Sequence, residues 1–99
     1  TFIAPTLTYD EKMSVTLAGV NMEFIHVPSE APDETIIYPP EEKILLSGET
    51  TQGSTLPNIH TLRGTKFRDP VRWYKSIDVL RSYRAEHLVP SHGQPVSGR

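Results

Sequence analysis

Nine prolines among 99 residues cut this chain into short segments, and their positions dictate what each segment becomes. Proline has no main-chain N–H and a fixed φ, so it ends a strand ladder and is tolerated in a helix only in the first turn. Pro28 closes the stretch Met22-Glu23-Phe24-Ile25-His26-Val27. Pro39-Pro40 closes Thr35-Ile36-Ile37-Tyr38, and Pro90 follows Leu88-Val89. These stretches are short, apolar and largely β-branched or aromatic, which reads as strands. Pro70 is different, because it follows Asp69 and opens a run in which Trp73, Ile77, Leu80 and Arg84 recur at helical spacing. An aspartate N-cap with proline at the first helical position predicts one helix, from Asp69 to about Tyr83–Ala85.

The remaining segments complete an α/β pattern of mixed or antiparallel strands with one main C-terminal helix. Lys12-Met13-Ser14-Val15-Thr16-Leu17 alternates polar and apolar residues, as a half-buried strand should, and Gly19 and Asn21 predict a turn after it. Ser29 to Glu34 is a polar loop without periodicity. Glu41-Glu42 makes a charged turn before Lys43-Ile44-Leu45-Leu46-Ser47, a strand that ends at Gly48 and forms a hairpin with residues 35–38. Thr50 to Arg68 is rich in Gly, Thr, Asn and Pro. Connections beyond ~12–15 residues without structure of their own are uncommon, and they are often functional.

Composition bounds what such a chain does. An apolar fraction of 36% lies below the ~45–50% usual for a self-sufficient globule and suits a piece that leans on a larger protein. The first residue, Thr1, is not an initiator, so a longer product is expected. The absence of cysteine excludes disulfides, zinc–thiolate sites and cysteine nucleophiles, but does not fix a compartment; periplasm and secretion are both compatible with it. No apolar run approaches the ~18–20 residues of a membrane helix, so membrane insertion has no support. Charge is divided along the chain: residues 1–48 carry eight carboxylates against Lys12 and Lys43, whereas residues 49–99 carry eight cations against four carboxylates. An acidic half suits a cation and a basic half suits an anion, although two solvated faces of opposite sign are the plainer reading of charge alone. The overall negative charge, with few aromatics suited to stacking, disfavours nucleic acid.

Three residues at strand ends stand out as metal ligands: Glu30, Glu49 and His92. Zinc accepts carboxylate oxygen and imidazole nitrogen, and hydrolytic sites gather such ligands from several loops above a sheet. Taken singly, each reads more simply as a solvated side chain. Asp33 and Glu34 read equally as groups that orient the Glu30 loop and as plainly solvated carboxylates. His26 reads as a packing or edge residue and His87 as exposed, while Trp73, Tyr74 and Ile77 read as helix packing.

The layout strand, Glu30-Ala31-Pro32, hairpin, Gly48-Glu49 is similar to the second half of the metallo-β-lactamase fold. Glutamates stand at Glu30 and Glu49 where that fold has a histidine and an aspartate, a double replacement typical of its alkylsulfatase branch. The run Pro57-Asn58-Ile59-His60-Thr61-Leu62-Arg63-Gly64-Thr65-Lys66-Phe67-Arg68-Asp69 closely resembles that family's sulfate-binding loop. Val89-Pro90-Ser91-His92-Gly93-Gln94-Pro95-Val96-Ser97-Gly98 resembles its final metal-ligand segment. The likeness runs from about Leu17 to Gly98, with Asn-x-x-Thr-Leu-Arg-Gly as its most specific part. It implies half of an αββα sandwich and a dinuclear zinc hydrolase of alkyl sulfate esters. Glu30 would bind one zinc, Glu49 would bridge both and His92 would bind the second. The substrate contacts it implies are Asn58, Ile59, His60, Thr61, Leu62, Arg63 and Arg68. A cation at a helix N-terminus is unfavourable for the dipole, so Arg68 beside the Asp69 cap needs another reason to be there, and a bound anion provides one.

The family's other zinc ligands come from a His-x-His-x-Asp-His motif that residues 1–99 do not contain. The expectation is therefore a partial domain that is inactive alone, completed by the remainder of its parent chain and homodimeric at full length. Two other readings stay open: a hydrolase of the same fold acting on phosphodiesters or thioesters, and a non-catalytic half-fold interaction module.

Overall fold

Every strand expected from the proline and glycine punctuation finds a partner in one mixed sheet. The computed structural model describes residues 2–52 and 69–98. The strands β1 (Lys12–Leu17) and β2 (Val20–His26) form an antiparallel hairpin with Leu17 opposite Val20. Its two-residue turn places Ala18 at φ 52° and Gly19 at φ 80°, the pair of positive φ values that matches the twist of flanking strands. Asn21, expected in the turn, lies instead in β2, where its Oδ1 accepts the Thr16 hydroxyl at 2.6 Å.

The next two strands, β3 (Thr35–Tyr38) and β4 (Ile44–Gly48), continue the antiparallel order. Lys43, expected to begin β4, sits in the preceding turn at φ 55°. The helix α1 (Pro70–Ser82) then carries the chain over to β5 (His87–Pro90), which pairs parallel with β4. Parallel neighbours need such a crossover, and it makes the architecture α/β. A two-residue strand, β6 (Val96–Ser97), finishes the order β1-β2-β3-β4-β5-β6. β6 has no sequence signature, since two residues display no period; its ladder with β5 creates it.

The helix forms where its caps predict. Asp69 Oδ1 accepts the N–H groups of Val71 (2.9 Å) and Arg72 (3.3 Å), and Tyr83 is the C-cap. Arg84, expected on the helical stripe, lies past the end at φ 51°. Tyr74 does not pack as expected and is 64% exposed.

Strand pairing assigns the faces of the sheet. One face carries Ile25, Val27, Ile36, Tyr38 and Leu45, which form the core with Leu80 of α1; Tyr83, Ala85 and Leu88 pack at its margin. Tyr38 and Tyr83 meet with ring centroids 4.8 Å apart at 58°, a favoured tilted geometry. The opposite face carries the cross-strand row Met13, Phe24, Ile37, Leu46 and Val89, each directly opposite the next. No described helix is long and apolar enough to cross a membrane.

Candidate functional site

The sheet brings all three candidate ligand loops to one edge. Parallel pairing sets Gly48 of β4 beside Pro90 of β5, and Ser91 N–H donates to Gly48 O at 2.9 Å. Residues just beyond these strand ends therefore emerge together, the usual place for a site in an α/β sheet. The antiparallel order of β2, β3 and β4 turns the β2–β3 loop, with Glu30, toward the same edge.

Glu49 and His92 meet there, with Nε2 of His92 3.1 Å from Oε1 of Glu49. Glu30 lies on the neighbouring loop, where its Oε2 accepts Gln52 Nε2 at 2.6 Å. Among the described residues, no three His, Asp or Glu side chains gather closely enough to hold a metal ion. The described part thus forms a two-residue donor pair with a third carboxylate on the same edge.

Several side chains hold this edge in shape. His26 Nε2 is 2.7 Å from Pro32 O, so the residue read as packing clasps the Glu30 loop. Ser76 of α1 donates to Pro28 O at 2.7 Å, and Trp73 Nε1 donates to Thr50 O at 2.9 Å. The helix thereby fastens both the Glu30 and the Glu49 loops. These contacts depend on where distant loops fold back, and no local pattern encodes that. His87 is exposed, as expected, with Nδ1 2.8 Å from Ser97 Oγ.

Glu34 does something the sequence did not reveal. Read as either orienting the Glu30 loop or simply solvated, its carboxylate Oε1 instead accepts the Glu49 main-chain N–H at 3.1 Å. Burial pushes the Glu34 carboxyl above its usual range; the Glu49 N–H pulls it down, and the charges of Glu49, Asp33 and Glu30 push it up again. Gly48 makes the approach possible, because at φ 56° a Cβ there would collide with Glu34 Oε1. The expected substrate contacts Asn58, Ile59, His60, Thr61, Leu62, Arg63 and Arg68 lie outside the described residues.

Comparison with known proteins shows what the chain is similar to. Linear primary-alkylsulfatase from Pseudomonas sp. (strain ATCC 19151) is 61% identical over all 99 residues. Over its whole length the chain is similar to alkylsulfatases, and its fold is that of metallo-β-lactamase family proteins. The chain spans 19% of that relative's length. It also superimposes on the stereoselective inverting sec-alkylsulfatase Pisa1 from Pseudomonas sp., with a TM-score of 0.83 and 33% identity, over 99% of this chain and 16% of that one. The fold extends to TTHA1623 in a di-iron-bound form, with a TM-score of 0.75 and 23% identity, over 96% of this chain and 44% of that one. No protein-family model matches the chain.

The described edge offers suitable donors for a metal. An imidazole nitrogen and a carboxylate oxygen converging from separate loops are ligands that zinc and iron both accept.

Proposed function

We propose that this chain is the part of a zinc-dependent alkylsulfatase that supplies Glu30, Glu49 and His92 to a dinuclear site and Asn58 to Arg68 to the sulfate group. The observation that carries the reading is the 3.1 Å approach of His92 to Glu49 at the paired ends of β4 and β5. It occurs in a chain 61% identical to a linear primary-alkylsulfatase. Glu49 has two carboxylate oxygens, which suits a bridge between ions; Glu30 would hold one ion and His92 the other. When bound, the metal pair supplies a water of lowered pKa as nucleophile. Arg63 and Arg68 grip the sulfate oxygens through paired hydrogen bonds and offset charge on the departing group. Asn58 and the main chain through Ile59, His60, Thr61 and Leu62 add neutral donors.

The remaining ligands, the sheet that covers the Met13–Val89 face and the homodimer contacts belong, on this reading, to the rest of the longer protein. The test uses that longer protein. It should release sulfate from dodecyl sulfate in preference to cleaving phosphodiesters or thioesters, and elemental analysis should find zinc rather than iron. Arg63→Ala and Arg68→Ala should each lower sulfate release by ~10²-fold or more. Variants as active as the parent protein would overturn the assignment of the loop. The purified 99-residue chain should release no sulfate at all.

A further inference from the structure

The peptide unit joining Gly48 to Glu49 is held at both ends. Its carbonyl, Gly48 O, accepts Ser91 N–H at 2.9 Å, which ties it to the segment leading to His92. Its N–H, from Glu49, donates to Glu34 Oε1 at 3.1 Å. A peptide unit is planar, so fixing its two polar ends fixes its orientation and the direction in which the Glu49 side chain departs. Glu34 reaches the N–H only because Gly48 presents no side chain: a Cβ there would meet Glu34 Oε1, with Glu34 Cδ at 3.2 Å and Thr35 O at 3.3 Å. A further main-chain bond, Thr50 N–H to Ser47 O at 3.0 Å, closes the turn around Glu49.

We infer that Glu34 is a positioning residue: its carboxylate, seated on the bare face of Gly48, sets the Glu49 main chain so that the Glu49 carboxylate and the His92 imidazole converge. Its catalytic consequence rests on the alkylsulfatase reading, in which Glu49 bridges the metal ions. The role belongs to an acceptor oxygen at a set distance rather than to negative charge. Glutamine in place of Glu34 fulfils it, whereas a shorter side chain does not.

The experiment uses the full-length parent protein and three variants. Glu34→Gln leaves an acceptor in place, Glu34→Asp withdraws it by one methylene and Glu34→Ala removes it. Hydrogen exchange at the Glu49 amide, resolved by mass spectrometry on metal-free protein, should quicken by about tenfold in the Ala and Asp variants and hold near wild type in Gln. Zinc affinity, measured by titration, should fall ~10–100-fold in Ala and Asp and be preserved in Gln. In the same variants kcat for dodecyl sulfate should fall while KM holds, because Glu34 acts through Glu49 and not on the sulfate. Unchanged Glu49 exchange in Ala and Asp would overturn the inference, as would wild-type zinc affinity in both or equal damage from Gln. If Glu34→Ala does not fold, the contrast between Asp and Gln decides. A wild-type protein that neither binds metal nor cleaves dodecyl sulfate would defeat the alkylsulfatase reading instead, and Glu49 exchange would still report whether Glu34 holds the peptide.

Discussion

A methyl group at Gly48 would stand against the Glu34 carboxylate, in a backbone conformation of φ 56° that costs an L-residue roughly 1–2 kcal/mol. Gly48→Ala should therefore lose more than the conformational term, about 2–4 kcal/mol, because Glu34 must also give up its hydrogen bond to Glu49. In a Glu34→Ala background the carboxylate clash is gone and only the tight approach to Thr35 O, 3.3 Å from the added Cβ, remains, so the same change should cost little beyond the conformational part. Urea unfolding of the two single variants and the double variant reads the coupling directly; strictly additive losses would mean that the two residues do not meet. None of this was legible in the sequence. Gly48 was recognisable as a strand end, and family resemblance made Glu49 a candidate ligand. The Glu34 contact spans fifteen positions and exists only because β3 and β4 are paired in one register.

Elements were more readable, because strands and helices announce themselves through local periodicity and local caps. The Asp69-Pro70 start and five of the six strands follow from short local patterns, whereas β6 and the parallel pairing of β5 arise from contacts made after α1 has crossed the sheet. That crossing ends at Tyr83, whose ring packs on Tyr38 of β3. Burial raises the Tyr83 phenol above its ordinary pKa of 10.0; the charge of Lys12 opposes this, and Glu23 and Tyr38 reinforce it. The folded chain thus holds the phenol proton more tightly than the unfolded chain does. This contribution to stability is complete below pH 10.0 and is lost as pH rises through the folded value. Tyr83→Phe has no such proton to lose. Its stability should fall less steeply than wild type across the alkaline limb and differ little near neutrality. Denaturant midpoints taken at a series of pH values check this, and parallel slopes above pH 10.0 would show that Tyr83 ionises freely in the folded chain.

At the scale of the molecule, the sheet has one face closed by α1 and another that bears an apolar row across five strands. Met13, Phe24, Ile37 and Val89 are half-buried there, and Leu46 is 37% exposed. The arrival of three candidate ligand loops at one edge is also a property of this scale. Strand order brings residues 30, 49 and 92 to one edge, and no window of sequence shorter than the whole sheet contains that fact. A chain that spans 19% of its relative, with a site on its edge and an apolar row on one face, suits a sandwich completed by the longer protein. The consequence is a substitution whose effect depends on context. In the 99-residue chain, Leu46→Lys places an ammonium where the leucine is already partly in water, and should cost less than about 1 kcal/mol. In the longer protein the same lysine would be forced between two packed sheets, losing the leucine's burial and confining a charge, at a cost of roughly 2–5 kcal/mol. Urea unfolding of both forms, each with and without the substitution, measures the difference. If Leu46→Lys is equally mild in both, the row stays in water in the longer protein too, and the half-sandwich reading of this segment fails.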